Sequence, residues 1–125
     1  MKIDTPLGDI VDRYSILTIK KQRISHQNAQ KNILREAEAI REAWKQSSHP
    51  PMQELPQWSE LLAVNLRLWE VEDLLRECEK RQTFDEAFIT MARSVYTLND
   101  HRASLKRSIN LFLGSDLMEE KSYAP

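Results

Sequence analysis

The chain has 125 residues, of which 30% are charged and 41% hydrophobic, and its formal net charge is −1. That length makes one domain with room for a real core, and the near-neutral balance excludes a general attraction to nucleic acid or to anionic lipid. Only two glycines occur and apolar residues rarely alternate with polar ones, which excludes a many-stranded β fold. The expected architecture is all-α: an antiparallel bundle of three to four long helices, the first long or kinked. It forms a single domain over 1–125, with 115–125 a short C-terminal tail folding back on the bundle.

Thr5 followed by Pro6 reads as a helix start, a hydroxyl cap and then proline at the first helical position. Leu7, Ile10, Val11, Tyr14, Leu17 and Ile24 then recur at three- and four-residue steps. Ile16 and Ile19 fall on the far side, so this helix is expected to be covered on two sides. Arg13 and Lys20 border its main apolar face, and Asp9 is placed to pair with Arg13 four residues on. No leader pattern precedes the helix, and no apolar run approaches the ~20 residues a membrane span needs. A cytoplasmic protein without membrane association is therefore expected.

From Ser25 to Asn32 the only apolar residue is Ala29, after which Ile33, Leu34, Ala37, Ile40 and Trp44 resume the pattern. No Gly or Pro forces a break, so two readings stand. Either one long helix runs on, or a polar turn near His26–Asn28 divides it. A continuous helix would overhang the later ones and would need Ile33–Trp44 covered by a second copy, which makes a homodimer the expected assembly.

Ser47-Ser48-His49-Pro50-Pro51 ends this region, because consecutive prolines cannot continue a helix. The next helix is expected from about Gln57 to Arg81. Thr83 is the expected cap of the last one, with Glu86 completing a capping box and Asp85 adding charge suited to the dipole. That helix ends at Leu113-Gly114. Leu117, Met118 and Tyr123 are the apolar residues by which the tail would fold back.

Motifs for known chemistries are missing: there is no phosphate-cradling glycine loop, nucleophile elbow, His-Glu-x-x-His or Glu-x-x-His. His26, His49 and His101 are scattered, and Cys78 is the only cysteine, so neither metal nor cofactor is expected. What remains is polar residues in the middle of apolar faces. Asn65, Glu72 and Arg76 lie among Leu61, Val64, Leu68 and Leu75. Asn99, Arg102, Lys106 and Asn110 lie among Val95, Leu98 and Ile109.

Buried polar groups cost free energy unless paired, and only Glu72 stands out as an inward acid. One reading is a paired network with Glu72, in which the asparagines set helix register. The other is a site for an anionic small molecule or group. Arg76, Arg102 and Lys106 would contact the anion, with Arg13 and Lys20 assisting. Asn65, Asn99 and Asn110 would orient it, and Glu72 would hold Arg76 or accept a ligand hydroxyl. A binding or assembly protein is the leading expectation. A small metal-independent enzyme acting on an anionic metabolite by electrostatic stabilisation, and a purely structural bundle, are the alternatives.

Three stretches carry a family resemblance: Thr5–Lys20, with Thr-Pro-Leu-Gly-Asp-Ile at its start; Val64–Arg76, containing Asn65-Leu66-Arg67-Leu68-Trp69; and Phe84–Tyr123, with Asn99-Asp100-His101-Arg102 and Lys106-Arg107-Ser108-Ile109-Asn110. In these the chain resembles a family of small bacterial helical proteins of unknown function. The resemblance implies the helical fold and the importance of these segments, and no activity. More loosely, the architecture is similar to that of the helical chorismate mutases, which bind a dicarboxylate with cations and use neither metal nor nucleophile. No local motif of those enzymes is present, so none of their residues is carried over.

Overall fold

The computed structural model describes residues 1–115. Four helices follow one another: α1 (Leu7–Arg23), α2 (Gln27–Lys45), α3 (Trp58–Arg81) and α4 (Glu86–Leu113), with one 3-10 turn at Met52–Glu54. They pack as a helical bundle, α3 against α4, α1 across both, and α2 against α1. The tail that was expected to fold back, with Leu117, Met118 and Tyr123, lies outside the described residues. No described helix is long and apolar enough to cross a membrane.

The long first segment divides. Ile24 is extended (φ −105°, ψ 118°), α1 closes with Ile24 N–H donating to Lys20 O, and α2 starts at Gln27. The break needs no Gly or Pro: Ser25, His26 and Asn28 have modest helix propensity and no apolar neighbour to bury. Lys20, Lys21 and Arg23 suit the negative end of the α1 dipole, and Gln30 Nε2 donates to Lys21 O across the turn (3.0 Å). Because α2 doubles back on α1, Ile33 and Trp44 are buried within one chain. The overhang that would have required a second copy there does not form.

Two expected caps resolve differently. Thr5 does not cap α1; Pro6 stands at the N-cap with no side-chain bond. Instead, Gly8 N–H donates to Asn110 Oδ1 of α4 (2.6 Å) and Leu7 N–H to Ser115 Oγ (3.3 Å). Thr83 does not cap α4 either, since Asp85 occupies that position and accepts from Phe88 N–H (3.0 Å). A carboxylate two residues nearer the helix serves both the cap and the dipole. At the other end Gly114 takes φ +67°, the left-handed turn for which glycine is suited. The α3 terminus makes the same turn with Gln82 at φ 53°.

The core lies at one end of the bundle. Val11, Leu61 and Ile109 are fully buried there, joined by Trp44, Met52, Leu55, Trp58 and Leu105. Prolines 50 and 51 direct the connection back over this end, and Trp44 Nε1 donates to Pro50 O (2.8 Å). Toward the tip of the α3–α4 hairpin burial fades, and between Glu72 and Ser104 no residue is fully buried.

Candidate functional site

The ridge by which helix α1 meets α3 and α4 carries small and polar residues beside the fully buried Val11. Gly8, Asp12 and Ser15 share this ridge and are all buried. A Cβ at Gly8 would lie 2.3 Å from Lys106 O, so the two backbones approach as closely as glycine allows. That approach puts Asp12 between the helices with its side chain only 6% exposed.

Asp12 is well satisfied there. Arg102 grips it in a bidentate fork, Nε donating to Oδ1 (2.9 Å) and Nη2 to Oδ2 (2.5 Å). Asn65 Nδ2 donates to the same Oδ1 (2.9 Å) and to Ser15 Oγ (2.7 Å), while the Ser15 hydroxyl donates to Asp12 O (2.6 Å). One turn away Lys106 Nζ lies 3.0 Å from Asp9 Oδ1. This is a charge contact without hydrogen-bond alignment, since that oxygen accepts no hydrogen bond. Asn110, 1% exposed, completes the row by holding the α1 N-terminus.

Beside this row a groove of about 870 Å³ opens between α1 and α2, with Arg102 and Lys106 of α4 on its other wall. Leu7, Ile10, Ile16 and Leu17 of α1 and Ile40 and Trp44 of α2 give it an apolar lining. Arg13 Nε donates to Glu36 Oε1 (2.5 Å) from α1 to α2, both residues lining the groove, and Lys20 lies along it on α1. Four lining cations, Arg13, Lys20, Arg102 and Lys106, stand against three lining carboxylates, Asp9, Asp12 and Glu36.

Arg102, Lys106, Asn65 and Asn110 thus converge, while Arg13 and Lys20 join only at the groove. Asn99 is half-buried and contributes none of the contacts described. Glu72 is not an inward acid: its side chain is 52% exposed, that of Arg76 is 73% exposed, and the two lie 3.9 Å apart on the surface of α3. Neither lines the groove. Arg13 pairs with Glu36 and not with Asp9. The carboxylates that answer the inward cations are Asp9 and Asp12. Their signal was present in the sequence as Gly8, Asp12 and Ser15 at helical spacing, on the second covered side of α1 that Ile19, itself buried, also marks.

A model of a family of unknown function (DUF6165) matches residues 1–125, and the chain belongs to that family. No curated protein and no solved structure matches it.

Proposed function

We propose that this chain is a cytoplasmic binding protein whose groove takes an anionic small molecule with an apolar body. The observation that carries the reading is the groove: about 870 Å³, apolar along Ile10, Ile16, Ile40 and Trp44, and edged by one more cation than carboxylate. Small-molecule sites fall in the range of roughly 300–1,000 Å³, mostly apolar with a few placed polar groups. Lys20 enters none of the ion pairs among the described residues, and a ligand carboxylate would take its ammonium. Arg102 and Lys106 are already held by Asp12 and Asp9, so they serve as wall and not as reacting groups. For that reason the reading is binding, without turnover.

Trp44 in the lining supplies a reporter. Titration with 2-naphthoate should give saturable NMR shifts confined to the α1–α2 groove, the Trp44 indole N–H among them. The neutral alcohol of the same ring system should bind more weakly, and Lys20→Gln should weaken naphthoate by about tenfold, the loss of one charge-assisted bond. If neither aromatic nor aliphatic carboxylates saturate at millimolar concentration, the binding reading fails. The closed set around Asp12 favours the second reading, a bundle whose polar row only sets helix register.

A further inference from the structure

Facing away from both α1 and α3, α4 presents a ridge whose members are all exposed. Along it charges recur every seventh residue with alternating sign: Glu86, Arg93, Asp100 and Arg107. A seven-residue repeat keeps such a row on one helix face, drifting by only about 20° per repeat. Next to it, also seven residues apart, are Ile89 and Tyr96, 50% and 76% exposed. Solubility requires charge on an outer face, but neither alternation at this period nor large apolar groups set beside it.

A row that reads minus, plus, minus, plus is its own complement when reversed. Two copies of α4 laid antiparallel, with residue 96 against 97 of the second copy, bring Glu86 onto Arg107 and Arg93 onto Asp100. Each pair forms twice by two-fold symmetry, and the two Tyr96 rings meet near the axis. Parallel in-register pairing would oppose like charges at every step. We propose that this face of α4 joins two copies of the chain in an antiparallel, isologous pair. The helix has 28 residues, about 42 Å at 1.5 Å per residue, long enough to carry the whole row. Asp100 and Arg107 also make contacts within their own chain, so association exchanges some of their interactions for others. The groove lies on the other side of the bundle, with Arg102 and Lys106 at its wall, so pairing and ligand binding are independent.

Sedimentation equilibrium over micromolar to millimolar chain concentrations should show a species of twice the chain mass, weakened as salt rises. Arg93→Asp should raise the dimer dissociation constant at least tenfold (roughly 1.4 kcal/mol per decade). Adding Asp100→Arg to that variant should restore it, because the pair is rebuilt with its signs exchanged. In a Cys78→Ser background, Tyr96→Cys should be cross-linked between chains by a short bismaleimide, whereas Gln53→Cys should not. These positions are all exposed except Cys78, and circular dichroism confirms that each variant is folded before it is weighed. A monomer throughout, a dimer indifferent to Arg93→Asp, or a double variant that stays monomeric would overturn the proposal.

Discussion

Near the core end of the bundle, Asn65 of α3 and Arg102 of α4 close on Asp12, whose side chain is 6% exposed. Two turns farther along the same α3, Glu72 and Arg76 form a helical pair with side chains 52% and 73% exposed. The residue types are alike, and both sets sit beside apolar stripes. What differs is the third helix. Helix α1 covers the first region and has ended by the second, its Arg23 reaching only as far as Glu70 (3.7 Å). Beneath α1 the charges lose water and must be matched by protein groups. Beyond it they keep water, and their pairing is worth little.

That contrast can be tested by single substitutions. The largest loss is expected for Asp12→Ala, which leaves Arg102 and Asn65 without the carboxylate they share. Breaking a buried pair from one side costs about 3–5 kcal/mol, and urea unfolding followed by circular dichroism would measure it. A loss below about 1 kcal/mol would mean that water reaches Arg102 freely, and the two regions would then be equivalent.

Gly8→Ala comes next. The added carbon meets the backbone carbonyl of Lys106, which cannot swing aside as a side chain could, so α1 must move off α4. Such overpacking costs about 1–3 kcal/mol, and the displaced α1 should show faster amide exchange from Gly8 to Ser15. At the exposed tip, Glu72→Ala should change stability by less than about 0.5 kcal/mol in the same urea experiment. A larger effect there would show that the tip is covered in solution.

Much of the fold is readable from residue order. Pro50-Pro51, the apolar periodicity of Leu61–Leu75 and of Phe88–Ile109, and Gly114 after Leu113 place α3, α4 and the connection that leads from α2 into α3. Each depends on local chemistry: a missing N–H, a 3.6-residue repeat, a backbone free to turn left-handed. The site was less legible for the same reason. Hydrophobicity assigns Leu7, Ile10, Val11, Tyr14 and Leu17 to the inner side of α1, and Val11 is fully buried there. That assignment misses that Gly8, Asp12 and Ser15 form the ridge on which α3 and α4 sit. Residue type can show that Arg102 and Lys106 need anions, yet Asp9 and Asp12 lie about ninety residues earlier in the chain.

By itself, then, the amino-acid order determined the helices, their approximate ends and the presence of polar residues on packed faces, because these follow from interactions within a few residues. Tertiary structure decided between the two readings of the polar stretch after Ile24, and it alone decided that Asn110 caps α1 from α4 and which charges are buried. Those outcomes depend on which helix lies over which, and a charge is costly or cheap only once its neighbours have displaced the water around it.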